Sequence, residues 1–328
     1  MKKIIVVIIL SLILAGGMLL YVYFDSHRPH HFEVDFLNIG QGDSALIKFE
    51  NGQKMLVDCG PNKIVLSALG RHLPFYNRTI DYVVATHPDL DHYGGCVDVL
   101  QRYNVKNIIV NGHEKKYDPY WQEWNKMMHE EAGAKIITMA SPTTWTIASD
   151  TLQFISPDPA LHLDVAAADS NNYSIVFKLT HGNERFLFTG DMEVPLEDVL
   201  MEKYCGTTTP DLSLTLPPSS EDLRPAVGRG ANVTPPPQGR GQGEDSQMGA
   251  RERVGTCPAL HADTLKVGHH GSDSGSSEEF LSIVRAKTAI VSVGKNKYGH
   301  PSHRVFKRLE RTGADILRTD QIGDIVVQ

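Results

Sequence analysis

The sequence predicts an α/β domain that follows one N-terminal transmembrane helix. An uncharged, mostly apolar run from Ile4 to Phe24 comes directly after Lys2 and Lys3, and it is long enough to span a bilayer as a helix. Beyond it, short apolar or alternating segments are interspersed with helical patterns, as is typical of an α/β domain. Several of the short segments end in His or Asp, so we expect polar side chains at the ends of strands.

The composition fits a globular protein and sets aside some functions. With 328 residues, of which 41% are hydrophobic and 22% charged, the chain can bury a sizeable core. Its formal charge of −7 gives no basic footprint from which nucleic-acid binding could be argued. Between residues 280 and 318, however, there are nine Lys or Arg and two Asp or Glu. This part is locally basic, which a solvated surface would explain equally well.

The four cysteines include no CxxC pair, which disfavours a zinc ribbon or a haem attachment site. Cys59 and Cys96 lie inside apolar segments and are interpreted as small core residues. Cys205 and Cys257 flank an unusual insertion, and they could pair with each other if the domain lies outside the cytoplasm.

Residues 1–31 are predicted to form a membrane anchor and a juxtamembrane segment. The positive-inside rule leaves the two N-terminal lysines in the cytoplasm and puts the rest of a single-pass chain on the other side of the cell membrane. The alternative is a signal peptide whose cleavage releases a secreted protein. The apolar run is long for such a signal, and no clear A-x-A site follows it, so an anchor is the prediction.

Residues 32–328 are predicted to form one domain, in which turn signals such as Asn51-Gly52 separate the first strands. The pattern predicts strands at 32–39, 44–49, 54–57, 82–85, 107–110, 135–139, 143–147, 152–155, 173–179 and 185–189. It predicts helices at 94–103, 117–132 and 193–204.

An insertion interrupts this domain at residues 206–260. Pro, Gly, Ser, Thr and Arg dominate there, with almost no periodic apolar pattern, so the segment cannot bury enough surface to offset its ordering entropy. It is predicted to be a disordered surface loop. Regular elements then resume, with strands predicted at 263–268, 288–293, 315–318 and 324–327 and helices at 277–285 and 302–311.

The turn after the strand at 82–85 carries the densest set of potential metal ligands. It has the sequence THPDLDH and contains four of them: His87, Asp89, Asp91 and His92. Mixed imidazole and carboxylate ligands suit divalent zinc, manganese or iron. The alternative is a polar loop in which Asp91 caps the helix that follows.

Other predicted strands also lead to a potential ligand or proton carrier. These residues are Asp58, Asp191, His269, His270 and His300. Because sites are built from loops at one edge of a sheet scaffold, we expect these side chains to meet the turn at 86–92. Alone, Asp58 would be an ordinary turn residue and His300 a turn histidine before a proline.

Taken in chain order, these motifs resemble those of the metallo-β-lactamase superfamily. The His-x-Asp-x-Asp-His turn, the Thr-Gly-Asp that ends at Asp191 and the His-His-Gly-Ser that begins at His269 carry the resemblance. Four segments look more closely like the hydrolase domain of ComEC competence proteins, namely FLNIGQGDS at 36–44, NNYS at 171–174, KVGHHGS at 266–272 and YGHP at 298–301.

The resemblance covers residues 33–328 apart from the insertion. It implies an αββα sandwich, in which two mixed β-sheets pack face to face between helices and metals bind at one edge. Since the sequence has one apolar run of spanning length, we do not expect this chain alone to translocate DNA.

The resemblance also implies a centre with two divalent ions, manganese or zinc. His87 and Asp89 would bind the first ion. Asp91, His92 and His270 would bind the second ion, with His269 as the alternative to His270. Asp191 would bridge both ions.

Two positions depart from the usual pattern of the superfamily. Asp89 stands where a second histidine is usual, which makes the site harder and favours manganese over zinc. The histidine of the third motif is missing, and Asp169, Asn171 or Asn172 occupies that region as an alternative ligand. Asp58 is expected to orient a histidine ligand rather than to bind metal itself.

Further roles follow as hypotheses. Asp91 would accept the proton of the attacking water, and His300 would donate a proton to the leaving oxygen or stabilise the phosphate. Backbone amides and hydroxyls after the paired histidines could hold a phosphate. The residues concerned are Gly271, Ser272, Ser274, Ser276 and Ser277.

The sequence thus predicts a metal-dependent phosphodiesterase or nuclease that acts on DNA outside the cytoplasm. Two ions polarise a phosphoryl oxygen and lower the pKa of a bound water, and an anionic substrate suits such a centre. One alternative is a metallohydrolase of a small phosphodiester, a lactone or a β-lactam. Another is a degenerate, non-catalytic binding module. The sequence predicts no particular protein partner.

Overall fold

The computed structural model describes residues 2–131, 133–161, 170–206 and 257–328. Within these ranges the chain forms two seven-stranded β-sheets that pack face to face, with helices on both outer faces. The predicted αββα sandwich is confirmed. Most of the predicted insertion lies outside the described residues, so its disorder remains a prediction, as do the domain boundaries at 31–32 and 206–260.

The first sheet is mixed. In spatial order its strands are β14 (Ile325–Val327), β1 (Glu33–Phe36), β2 (Ala45–Lys48), β3 (Lys54–Val57), β4 (Thr79–Ala85), β5 (Asn104–Val110) and β6 (Lys135–Thr138). Pairing is antiparallel from β14 to β3 and parallel from β3 to β6. Because Val57 pairs with Val84, the chain leaves β3 and β4 side by side at the same edge.

The second sheet is mixed in the same way. In spatial order its strands are β13 (Asp315–Arg318), β12 (Thr288–Val291), β11 (Thr264–Lys266), β10 (Glu184–Phe188), β9 (Val176–His181), β8 (Asp150–Ser156) and β7 (Thr143–Ile147). Pairing is parallel from β13 to β10 and antiparallel from β10 to β7. Because Leu187 pairs with Leu265, the segments after β10 and β11 also leave the sheet at one edge.

One helix precedes the strands, and the others connect them and cover the sheets. In chain order they are α1 (Lys2–Ser26), α2 (Ile64–His72), α3 (Leu90–Tyr93), α4 (Cys96–Arg102), α5 (Pro119–Lys126), α6 (Val194–Cys205), α7 (Glu278–Val284), α8 (His303–Thr312) and α9 (Thr319–Ile322). α5 begins two residues after the predicted start at 117, because the carboxylate of Asp118 accepts a hydrogen bond from the amide of Tyr120 at 2.8 Å and Pro119 needs no N–H partner.

The core is layered like the sheets. Between them, the rings of Phe36 and Phe177 lie 5.8 and 4.7 Å from the ring of Phe188, and all three are buried. The outer faces bury two further apolar layers beneath the helices. Burying one such aromatic side chain contributes about 1.5–3 kcal/mol, so the central layer fixes the two sheets against each other and thereby the edge where their strands end.

α1 is a candidate membrane span, as the sequence predicts. Within its segment Lys3–Ser26, the most apolar 18-residue window has a mean hydropathy of 2.8, and none of that window is buried against the rest of the chain. These features concern length and composition. The direction in which α1 would cross a membrane remains a prediction.

Three of the described helices were not predicted: the four-residue α3 and α9, and the longer α2. α2 buries Val65, Ala68 and Leu69 along one face, the spacing of an amphipathic helix. It has nine residues, fewer than the window over which helical periodicity becomes clear, and Gly70 lies inside it.

The interpretation of Cys59 and Cys96 as plain core residues is incomplete. Both are fully buried, but they also form a disulfide across a sequence separation of 37. Cys205 and Cys257 form a second disulfide, the pairing that the sequence leaves open. The first pair could not be found from the sequence because neither residue carries a spacing signal, and their meeting depends on how β3 and α4 pack.

Candidate metal centre

Side chains from both sheets converge at the edge where β3, β4, β10 and β11 end. Nε2 of His92 lies 3.2 Å from Oδ1 of Asp191. Nε2 of His270 lies 3.4 Å from Oδ2 of Asp191 and 3.3 Å from Oδ2 of Asp91. The residues that follow separate strands in the sequence are thus brought into one cluster.

Two groups made only of the predicted ligands place all of their ligand atoms within 4.8 Å of one another: His87, His92 and Asp191, and Asp91, His92 and His270. Four of these atoms are buried and make no hydrogen bond of good geometry with a described residue: Nε2 of His87, His92 and His270 and Oδ1 of Asp191. Buried polar atoms without partners are rare. Imidazole nitrogens with carboxylate oxygens suit zinc or manganese, so the residues present fit a divalent metal.

The charges of the cluster also match those of a cation site. Burial lowers the pKa of His87 to about 4, which leaves the neutral imidazole that binds metal. Burial acts in the same direction on His270, but the carboxylates of Asp191 and Asp43 outweigh it and raise its pKa to about 10. A proton on His270 therefore balances these carboxylates, and a bound cation would replace that proton.

Asp58 supports the cluster from behind. Its Oδ1 accepts the backbone N–H of Thr86 at 2.8 Å, and its Oδ2 accepts the hydroxyl of Thr86 and Nδ1–H of His92, each at 2.8 Å. This arrangement directs Nε2 of His92 towards Asp191, which is how a carboxylate orients a metal-binding histidine. The geometry supports the role predicted for Asp58.

Replacing Asp58 by asparagine is expected to weaken metal binding by about 10- to 100-fold. An asparagine side chain has one acceptor oxygen, and its NH2 group cannot accept, so it cannot take all three hydrogen bonds that Asp58 accepts from Thr86 and His92. The tautomer of His92 is then no longer fixed by a carboxylate. Calorimetric titration of the full chain in detergent with Mn²⁺ measures the change. Asp118→Asn, which keeps the cap of α5, is the matched control, and equal affinities for the two variants would contradict the role of Asp58.

His270 is held in an uncommon backbone conformation. His269 and His270 have φ values of 47° and 53°, in the left-handed region that costs a non-glycine residue on the order of 1–2 kcal/mol. Nδ1–H of His270 donates to the carbonyl of Ser292 at 2.9 Å, which fixes the ring with Nε2 pointing into the cluster. Such strain concentrates at functional sites.

Asp89 lies at the margin of the cluster. Its Oδ1 is 4.0 Å from Nε2 of His87, accepts the hydroxyl of Ser170 at 2.7 Å and forms an ion pair with Lys115 at 2.6 Å. Within the described part of the chain it joins no group of three ligands. Its role as a ligand remains a prediction, in which metal would compete with Lys115.

Glu193 organises the region in which the third-motif histidine is missing. Its Oε1 accepts Nδ2–H of Asn171 at 3.1 Å and lies 3.0 Å from Nδ1 of His269, and its backbone N–H donates to Oδ1 of Asn172 at 3.3 Å. Nε2 of His269 is then 3.8 Å from Asp191. The alternative ligands Asn171, Asn172 and His269 are thus all held by Glu193. Asp169 lies outside the described residues.

His300 lies at the rim of the cluster. Its ring centroid is 5.3 Å from that of His269 and 6.5 Å from that of His270. Its Nδ1 is buried without a hydrogen-bond partner among the described residues. Burial and the neighbouring His269 lower its pKa. The position is compatible with the predicted transfer of a proton to a leaving group.

The serine-rich segment after His270 is only partly open. The hydroxyls of Ser272 and Ser274 lie 2.9 Å apart, and Ser274 donates to Glu193 at 2.8 Å. The amides of Ser276 and Ser277 donate to Glu197 at 2.5 and 2.9 Å, so a carboxylate occupies the position predicted for phosphate. Phosphate binding by Gly271 and Ser272 remains a prediction.

Glu197 makes stability depend on pH. Burial outweighs the hydrogen bonds from Ser277 and Ser276 and raises its pKa from 4.5 to about 7. The folded state therefore binds more protons than the unfolded state between these values. The stabilisation is full below about pH 4.5 and is lost as the pH rises through 7, by on the order of 1–3 kcal/mol. Unfolding of wild type and Glu197→Gln across this range measures it; parallel pH profiles would contradict the assignment.

Two buried charges were missed as site residues. Lys266 forms an ion pair with Asp43, donates to the carbonyl of Gly190 at 3.1 Å and lies 3.8 Å from Asp191. Asp43 also approaches Nδ1 of His270 at 3.2 Å. A lysine inside the apolar strand β11 was the available signal, because a buried ammonium needs a paired carboxylate.

Residues 37–295 match the family model of the metallo-beta-lactamase superfamily. The chain therefore belongs to this superfamily and is a metal-dependent hydrolase of that class. It is 27% identical to ComE operon protein 3 of Bacillus subtilis, over 89% of this chain and 32% of that protein. It is 25% identical to competence protein ComA of Neisseria gonorrhoeae, over 94% of this chain and 34% of that protein. These relatives confirm the likeness to competence proteins, of which the chain spans about a third.

Solved structures show the same fold. YhfI of Bacillus subtilis, a metallo-beta-lactamase fold protein, aligns with a TM-score of 0.50 at 12% identity, covering 90% of this chain and 99% of that chain. CmlA of Streptomyces venezuelae, a diiron β-hydroxylase, aligns with a TM-score of 0.50 at 12% identity, covering 92% and 55%. At these identities the likeness concerns the fold alone.

Proposed function

We propose that this protein is a membrane-anchored, metal-dependent phosphodiesterase that cleaves DNA outside the cytoplasm. The observation that carries the proposal is the buried cluster in which His87, His92, His270 and Asp191 present ligand atoms without hydrogen-bond partners in the described chain. A cationic centre suits an anionic substrate. The names of the relatives, which refer to competence and recombination, favour DNA over a lactone or a β-lactam.

Two divalent ions, manganese or zinc, would complete the centre. The proposed ligands are His87 and Asp89 for one ion, Asp91, His92 and His270 for the other, and Asp191 as the bridge. When bound, such ions polarise a phosphoryl group and make a water molecule nucleophilic near neutral pH. The three carboxylates among six ligands favour manganese.

The chain's own residues would handle the protons. Asp91 is assigned to accept the proton of the attacking water, because its side chain is 35% exposed whereas that of Asp191 is 3% exposed, so Asp91 can pass the proton to solvent. His300, at the rim, is assigned to donate a proton to the leaving oxygen. Lys266 keeps Asp43 ionised beneath the centre and offsets part of its negative charge.

The proposed location follows from α1 and the cysteines. Lys2 and Lys3 before the apolar helix orient the hydrolase domain away from the cytoplasm. The disulfides Cys59–Cys96 and Cys205–Cys257 fit an oxidising compartment. Release after signal cleavage is the alternative to an anchored protein.

The decisive test uses the full chain in detergent. After chelation, the protein is supplied with Mn²⁺ or Zn²⁺ and incubated with labelled DNA, beside Asp191→Ala. We expect cleavage that needs the metal and that Asp191→Ala lacks. Cleavage without metal, or equal cleavage by both proteins, would refute the proposal. Turnover of a lactone or β-lactam without any cleavage of DNA would support the small-substrate alternative.

A binding module is a second candidate, because the ion pair between Asp89 and Lys115 at 2.6 Å neutralises one predicted ligand. Metal analysis after reconstitution separates the two candidates. About two ions per chain fit the dinuclear hydrolase, whereas fewer than about one fits a degenerate site.

A further inference from the structure

A cleft of 740 Å³ opens beside the proposed metal centre. It is lined by residues 39–41, 61, 62 and 64, by Leu90 and Asp91, and by the segment Lys295–Tyr298. Oδ2 of Asp91 lies 3.3 Å from Nε2 of His270. A molecule lying in the cleft would therefore touch the edge of the centre.

One wall of the cleft is a preformed loop. Asn296 makes five hydrogen bonds, donating to the carbonyls of Gly294 and His300 at 2.9 and 2.8 Å and accepting the amides of Tyr298, Gly299 and His300 at 3.0, 2.9 and 3.1 Å. A Cβ at Gly294 would lie 2.3 Å from the backbone of Gly40, so the loop is pressed against the opposite turn. Preformed loops bind at a lower entropic cost.

The loop exposes an aromatic ring and two cations. Tyr298 is 64% exposed, and Nζ of Lys297 lies 5.6 Å from its ring centroid. Lys295 and Lys297 are exposed, and neither forms an ion pair with a residue in the described ranges. On the inner side, the ring of Tyr298 lies 5.7 Å from that of His300. The ring of Tyr298 and the charges of Lys295 and Lys297 thus lie between solvent and the rim of the proposed metal centre.

We propose that Tyr298, Lys295 and Lys297 form a subsite for single-stranded DNA beside the centre, in which Tyr298 stacks on an unpaired base and the lysines contact phosphates. This inference rests on the proposed function and names its substrate form. An exposed aromatic ring can stack on a base only when that base is not stacked within a duplex, because duplex DNA presents phosphates, sugars and base edges rather than free base faces. The apolar side chains of Ile64 and Leu90, 46% and 39% exposed, favour a base over a protein carboxylate in the same cleft.

The experiment measures binding apart from cleavage. A fluorescein-labelled oligothymidylate is titrated with the full chain in detergent and chelator, and its anisotropy is recorded. We expect Tyr298→Ala to weaken binding about 10-fold, within the range of one stacked base, and Tyr298→Phe, which keeps the ring, to restore it. Lys295→Ala/Lys297→Ala should reduce the slope of log affinity against log salt by about 1.4, or 0.7 for each phosphate contact. The same strand annealed to its complement should bind at least about 10-fold more weakly.

Matched controls lie elsewhere on the domain. Phe75 is an exposed aromatic residue outside the cleft, and Lys135 is an exposed lysine at the start of β6; Phe75→Ala and Lys135→Ala should bind like the wild type. If DNA is cleaved but Tyr298→Ala binds like the wild type, or if duplex binds as tightly as single strand, the subsite is refuted while the nuclease survives. If Tyr298→Ala loses binding although no DNA is ever cleaved, the nuclease fails and the subsite stands.

Discussion

His92→Ala is expected to reduce metal-dependent hydrolysis by more than about 100-fold. Loss of a residue that only orients a metal ligand reduces activity by at most about 100-fold, and a ligand itself should matter more. His92 belongs to both groups that combine ligands of the proposed centre, with Asp191 and with Asp91. Its side chain is completely buried, so no neighbour can swing in to replace it. Removing it also leaves the carboxylate of Asp58 buried without its imidazole partner, which destabilises the empty site.

Metal content and hydrolysis are measured on the same preparations of the full chain. Mass-spectrometric metal analysis should show the loss of at least one ion per chain relative to wild type, together with the loss of hydrolysis. His129→Ala is the matched control, because His129 is exposed and bonds to the carbonyl of Asn125 at 2.9 Å. Wild-type metal content and activity in His92→Ala would contradict the proposed centre.

Cys59→Ala/Cys96→Ala is expected to destabilise the domain by about 4 kcal/mol, the loop-entropy value for a disulfide that closes a separation of 37. The same variant should also bind metal more weakly. The backbone N–H of Cys59 donates to the carbonyl of His92 at 2.7 Å, and Gly95 donates to Gly60 at 2.8 Å, so the disulfide holds the end of β3 against the turn that carries the ligands.

Thermal unfolding and Mn²⁺ titration of the full chain separate the two effects. Cys205→Ala/Cys257→Ala removes a disulfide of similar span, with a separation of 52, at the C-terminal end of α6 rather than at the centre. It should lose a comparable amount of stability, about 4 kcal/mol, and keep its metal affinity. Equal metal affinity in both double variants would contradict the proposed link between Cys59–Cys96 and the ligand turn.

The predicted parts of the fold are those with strong local signals. β4 and the turn after it were found because an apolar strand leads directly into THPDLDH. The helix predicted at 302–311 is α8, and the hydroxyl of Ser302 caps it by accepting the backbone N–H of Val305 at 3.1 Å. α2 was missed because nine residues with an internal glycine give a weak pattern. Disulfide Cys59–Cys96 was missed because sequence alone does not say which apolar segments pack together.

The residues of the proposed metal centre also fall into those that the sequence predicts and those that it does not. Asp191, His270 and the ligand turn were predicted because each follows a strand and carries metal-binding chemistry. Lys266 and Glu193 were not, since their roles arise from tertiary contacts, of Lys266 with Asp43 before β2 of the other sheet and of Glu193 with His269 after the neighbouring strand. Nor does sequence reveal that Lys115 pairs with Asp89, because 26 residues separate them and only the packing of the loop after β5 brings them together.

The cluster straddles the seam between the two sheets: His87 and His92 follow a strand of the first, and Asp191 and His270 follow strands of the second. A cation bound by both pairs would cross-link the two sheets at that seam. It would tie the turn at 86–92 to the segments that follow β10 and β11. At 100 times its dissociation constant, an ion that binds only the folded state adds about 2.7 kcal/mol to stability. In a compartment where metal is abundant, the same ions that serve hydrolysis would then hold the sandwich closed.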